Sequence, residues 1–115
     1  MPVIVKELNE EHLAGPVLVT IEYTVIEDQE LKFLRAMRHY GRVWRRDGAY
    51  QWGIYRDIEV AHRFVEVFLV HSWAEHLRQH QRQTKADRVF EERVYSYVAR
   101  DPKVRHLLYA DSPKP

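Results

Sequence analysis

Histidines 76 and 80 stand one helical turn apart in "SWAEHLRQHQRQTKAD", residues 72–87, with Trp73 just ahead of them. Side chains three, four and seven residues apart share one face of a helix. Trp73, His76, Leu77 and His80 therefore form one stripe. A pair of imidazoles at this spacing suits a shared zinc, copper, iron or nickel ion. It equally suits a general base, because an unperturbed histidine titrates near neutral pH. "HLRQH" lacks the glutamate of the HExxH zinc motif, and the chain has no cysteine. A third ligand would have to come from Asp87 or Glu91 bending back, so no metal site is expected. Trp52, Trp73 and Tyr50 supply the flat apolar surface that stacks on conjugated ligands. The plainer account of the same residues is core packing, with Trp73 plugging the space beneath a helix cap. Arg42, Arg45 and Arg46, then Arg78, Arg82, Lys85 and Arg88, form two basic groups. Asp47, Glu75 and Asp87 dilute them, which favours solvated helix faces over an anion or lipid site.

The elements that must position these residues follow from periodicity. The sequence has 115 residues, 45% of them hydrophobic, which suits one domain with one core. Its 18 basic and 17 acidic residues leave no strong field, which argues against a dedicated nucleic-acid binder. The RNA-binding signature expected of an aromatic ferredoxin-like sheet is also missing. Without cysteine there are no disulfides and no thiolate chemistry. The opening "MPVIVKELNEEHL" turns acidic too soon for a secretory signal. The longest apolar run, "FVEVFLV", is broken by Glu66 and is too short to span a bilayer. A soluble, cytoplasmic protein is expected.

Residues 1–14 read as a leader, 15–110 as the domain and 111–115 as a tail. "VLVTIEYTV", 17–25, is a strand by its β-branched content. Residues 27–46 repeat Leu31, Leu34, Met37, Gly41 and Trp44 at helical spacing, with Asp28 as the expected cap. Strands follow at 49–57 and 63–72 as a hairpin-like pair. "SWAE" and "TKAD" both match the capping box, at Ser72/Glu75 and Thr84/Asp87. They predict a short helix, a bend, and a longer helix over roughly 84–100 with Ala86, Phe90, Val94, Tyr97 and Val98 inward. "VRHLLYA", 104–110, is the last strand. The order β-α-β-β-α-α-β is the split βαβ, ferredoxin-like α+β pattern with its second helix broken in two. In the third strand Val65, Val67, Leu69 and His71 lie on one face and Phe64, Phe68 and Val70 on the other. Two helices cover one face only, so a homodimer with sheet against sheet is expected.

This topology resembles the dimeric α+β barrel proteins, in particular antibiotic biosynthesis monooxygenase-like domains. "GPVLVTIEY", "RRDGAYQWGIYRD" and "SWAEHLRQHQRQTKADR" are similar to the soluble C-terminal domain of some bacterial major facilitator transporters. The resemblance spans about Gly15 to Ala110. It implies a dimer with a pocket between each sheet and its helices. Where the broader family has an acidic residue two positions before the tryptophan, this chain has His71. By this resemblance His80 is the residue nearest the helix histidine of haem-degrading relatives, but their pocket asparagine has no counterpart in "VLVTIEYTV". No cofactor is therefore expected. Three functions remain open. The first is a binding module for a small, flat, apolar or anionic ligand, sensing an exported substrate and using Trp52, Tyr50, Trp73 and His76. The second is a cofactor-independent monooxygenase acting on a polyketide-like aromatic through His80, His71 and Trp73. The third is a structural dimerisation module.

Overall fold

The computed structural model describes residues 3–111. A short helix α1 (Glu10–Leu13) precedes β1 (Val17–Thr24), α2 (Glu30–Arg46), β2 (Tyr50–Arg56), β3 (Arg63–Val70), α3 (Trp73–Arg82), α4 (Lys85–Tyr95) and β4 (Lys103–Leu108). The four strands form one antiparallel sheet in the order β2-β3-β1-β4. This is the ferredoxin-like arrangement expected from the order of elements. Of the outer segments, residues 112–115 of the tail lie outside the described residues. The leader includes a turn of helix that its lack of period did not announce. Asn9 and His12 cap that turn reciprocally, each side chain bonding the other's backbone N–H.

Alternation sets the sheet's two faces. Val17, Val19, Ile21 and Tyr23 of β1 and Phe64, Glu66, Phe68 and Val70 of β3 are buried beneath the helices. Their neighbours Leu18, Val67 and Leu69 turn to the uncovered face, where Leu107 pairs opposite Leu18. In β2 one extra residue opposes β3 between Tyr50 and Gly53, and Gln51 takes the left-handed conformation at φ 50°. The bulge sends Tyr50 to the uncovered face and keeps Trp52 on the covered one.

α2 is the main helix of the covered face. Its buried stripe is Phe33, Ala36, Met37, Tyr40, Val43 and Trp44. Leu31, expected inward, is 74% exposed, because the aromatic rings at 33, 40 and 44 take the sheet-facing side. Asp28 does not cap this helix. It makes a left-handed turn residue at φ 69°, and Gln29 occupies the cap position without a side-chain bond. Gly41 is buried where α2 crosses Trp52, and a Cβ there would stand 2.5 Å from the indole. No larger residue fits that crossing without moving the ring.

The predicted break between the last two helices is present. Ser72 Oγ accepts from the Glu75 N–H, which starts α3. Only half of that box forms, because the Glu75 carboxylate turns to Arg78 and Arg82 instead. Gln83, with ψ 130°, ends α3. Thr84 and Asp87 then make a full reciprocal box. Arg46 at the end of α2 holds both Asp47 and Asp87, the latter at 2.8 Å, tying α2 to the start of α4. This pairing holds the Asp87 carboxyl at about 2, below its ordinary value. α4 ends at Tyr95 rather than near 100. Beyond it, Val98 bridges to Val25 and Ala99 donates to the Thr24 carbonyl, so this segment extends the edge of β1. Val94 is buried and Phe90 partly so, but Ala86 is exposed.

Candidate functional site

A cavity of about 430 Å³ lies between the covered face of the sheet and the helices. Its volume is within the range of small-molecule sites. All four residues of the stripe at the start of α3 line it: Trp73, His76, Leu77 and His80. The capped start of α3 fixes where that stripe begins. Tyr40 and Trp44 of α2 and Phe68 of β3 form its aromatic floor, and Glu91 and Tyr95 of α4 stand across from the histidines. His106 of β4 completes the wall. It pairs opposite Val19 and so shares the covered face.

The aromatic and imidazole rings pack as one cluster. Trp44 stacks on Phe68 with centroids 4.9 Å apart, and on His76 at 6.1 Å. His76 and His80 meet edge to face at 4.7 Å, with their Nε2 atoms 3.2 Å apart. Trp73 meets His106 edge to face at 5.1 Å. His76 is 2% exposed, and burial lowers its pKa to about 4. Burial also lowers His80 and His106. All three imidazoles are thus held neutral at physiological pH. Burial likewise raises Tyr40, and it pushes Tyr95 up to about 12. Among the described residues, Glu91 is the single acidic side chain on the wall.

Several residues expected at the site lie elsewhere. His71 is exposed and stacks on Tyr50 at 4.8 Å, outside this cavity. Tyr50 instead borders an apolar depression of about 420 Å³ on the uncovered face, with Leu18, Leu69 and Leu107. Trp52 is on the covered face but bonds to Glu66, and Arg45 lies over its ring at 4.9 Å. Asp87 is held by Arg46 and Thr84 and does not approach the histidines as a ligand. Among the described residues, no three His, Asp or Glu side chains gather as metal ligands. The basic groups behave as solvated faces: Arg78 and Arg82 both pair with Glu75.

Other site residues were not singled out from sequence. His106 was readable, since period two in "VRHLL" puts it on the face of Val104 and Leu108. Glu66 looked like a mere break in an apolar run. It is fully buried, and accepts from the Tyr23 hydroxyl at 2.8 Å and the Trp52 indole at 2.7 Å. Burial raises its pKa to about 7, against the pull of these two donors.

Comparison with known proteins places this architecture. A family model described as transmembrane secretion effector matches residues 1–114. The chain belongs to the transmembrane secretion effector family. That assignment agrees with the major facilitator resemblance in its sequence. No described helix of this secretion effector family member is long and apolar enough to cross a membrane. No curated protein matches it. Among solved structures, it is similar to a candidate antibiotic biosynthesis monooxygenase from Bordetella bronchiseptica. The identity is 20% and the TM-score 0.71, over 84% of this chain and 98% of that one. A second such protein, from Caulobacter crescentus CB15, is 12% identical with a TM-score of 0.75, over 88% and 95%. A third, from Nitrosomonas europaea, is 15% identical with a TM-score of 0.66, over 85% and 91%. At these identities the likeness establishes the fold that the secretion effector chain shares with them.

Proposed function

We propose that this domain is a homodimeric small-molecule-binding module, an accessory domain that senses the substrate of a secretion transporter at the cytoplasmic side. The observation that carries the reading is the cavity with its aromatic floor and neutral imidazole wall. Such a space suits a flat, conjugated molecule held by stacking and a few hydrogen bonds. Trp73 and His76 remain ligand contacts in this reading, while Tyr50 and Trp52 do not. Titration with 2-naphthol, followed by tryptophan fluorescence, tests it. Saturable quenching is expected, weakened in His80→Ala. That variant should lose less than about 1 kcal/mol of stability, since His80 is exposed at the mouth. Unchanged binding in His80→Ala would refute the site.

One observation favours a second reading. His80 is neutral and opens on an aromatic cavity, as the base of a cofactor-free monooxygenase would be. His71, the other base considered, lies outside the cavity. Oxygen uptake with 1,4-dihydroxynaphthalene, lost in His80→Ala, would select the enzyme over the binder.

The dimer reading rests on the uncovered face. Leu18, Val67, Leu69 and Leu107 are joined there by Tyr50 and the 67% exposed Tyr109. A second copy laid sheet to sheet would bury this surface. Sedimentation equilibrium at micromolar concentration should give twice 13.9 kDa, and Leu107→Glu should return the monomer mass. A wild-type monomer that persists on concentration would overturn it.

A further inference from the structure

We propose that the cavity takes a flat aromatic acid as its anion, and that the His76–His80 pair takes up one proton as the ligand binds. The proposal rests on the cavity being a binding site and specifies what it binds. The hydrogen-bond order within the pair is decided by Gln79. With the amide in this orientation its Oε1 lies 3.0 Å from His76 Nδ1 and accepts, so Nδ1 carries the hydrogen, and Gln79 Nε2 is left without a partner among the described residues. In neutral His76, Nε2 is then a lone pair. His80 Nε2 stands 3.2 Å from it and must donate. The chain of donors therefore runs from His80 to His76 to Gln79 and leaves His80 Nδ1 as the open acceptor.

This order has a consequence for charge. One proton can be added, at His80 Nδ1, with the His80–His76 bond kept. A second proton would set two N–H groups against each other across 3.2 Å, so the pair holds one charge. Among the described residues, the groups that face the pair across the cavity are neutral except one. Trp44 and Tyr40 face it from α2, Trp73 from α3, Phe68 from β3 and His106 from β4, with Tyr95 and Glu91 on α4. Among the described residues, no lysine or arginine lines the cavity. An anion entering it meets no lysine or arginine among the described residues, and it raises the affinity of the pair for a proton. Glu91, across the space, also favours the charged pair once it forms. On the same wall, the buried Trp44 indole N–H has no acceptor among the described residues, a further donor for a ligand oxygen.

Isothermal titration with 2-naphthoate and its uncharged analogue naphthalene-2-carboxamide tests this. For naphthoate, buffers of different ionisation enthalpy should report uptake of about one proton per molecule bound. Its Kd should weaken about tenfold per pH unit between pH 7 and 8, the slope of one linked proton. The carboxamide should bind with no proton change and no pH slope. In His80→Gln the amide donates to His76 Nε2, so naphthoate should lose its proton uptake while the carboxamide still binds. Naphthoate binding without proton uptake, or uptake retained in His80→Gln, overturns the proposal and leaves the cavity as a neutral-ligand site. Failure of both probes to bind at millimolar concentration overturns the binding reading together with the proposal.

Discussion

Trp44→Ala is expected to destabilise the domain by about 3–5 kcal/mol, as large aromatic truncations in cores do. That is a large part of the 5–15 kcal/mol typical of a whole domain. Trp44 is 3% exposed and stacks on Phe68, with Tyr40 and both α3 histidines also against it. Its removal leaves a void in the cavity floor that β3 and α3 cannot close while both are held by other contacts. Trp44→Phe separates packing from polarity. Because the indole N–H has no acceptor among the described residues, the phenylalanine forfeits volume but no hydrogen bond. It should cost only about 1–2 kcal/mol. Urea melts of the two variants give the comparison. A loss under about 1 kcal/mol for Trp44→Ala would mean that the floor is not part of the core.

The second large effect is in the pH dependence of stability, with Glu66 and His76 acting in opposite directions. Glu66 has an ordinary value of 4.5 and sits at about 7 in the fold. Between these values the folded chain binds a proton that the unfolded chain does not. Stability from this group is complete below pH 4.5 and falls as pH rises to about 7. At about 1.4 kcal/mol per unit, the loss totals roughly 3 kcal/mol. His76 moves from 6.5 unfolded to about 4 folded, so here the unfolded chain binds the extra proton. Its contribution is complete above pH 6.5 and falls as pH drops to about 4, by a similar roughly 3 kcal/mol. The two slopes cancel between about pH 4.5 and 6.5. Glu66→Gln removes one of them. Its amide oxygen can accept from Trp52 while its NH₂ donates to the Tyr23 hydroxyl, so both partners stay satisfied. The variant should therefore be more stable than the wild type at pH 8. Its stability should also rise steeply from pH 4.5 to 6.5, where the wild type is nearly flat. Equal profiles for the two proteins, measured by denaturant melts at a series of pH values, would show that Glu66 does not change its proton affinity on folding.

What the sequence made legible was local. The caps at Ser72 and Thr84 bond neighbours three residues away, so the break between α3 and α4 is written in consecutive letters. The stripe from Trp73 to His80 needs only helical spacing, and it lines the cavity as a unit. What escaped depends on contacts distant in sequence or on a departure from period. Glu66 interrupts an apolar run and reads as a flaw until Tyr23, 43 residues away, is seen to donate to it. Trp52 and Tyr50, two apart in a strand, should share a face. The bulge at Gln51 separates them: Tyr50 turns to the uncovered face, while Trp52, on the covered one, is taken up by Glu66 and Gly41, so "AYQW" contributes nothing to the cavity wall. Leu31 fits its helical stripe but loses the interior to the ring of Phe33, two positions on.

That same bulge bears on self-association along the backbone. β2 is a free edge of the sheet, and its outward N–H and C=O groups are a template for a foreign strand. The left-handed Gln51 breaks the regular spacing of those groups at the start of the strand, which shortens the regular edge to residues 52–56. The opposite edge, β4, is introduced by Pro102 and carries Lys103 and Arg105, which repel a like copy of itself. Both rims of the sheet thereby offer less to fibre-like growth, one by a shortened regular edge and the other by its charge.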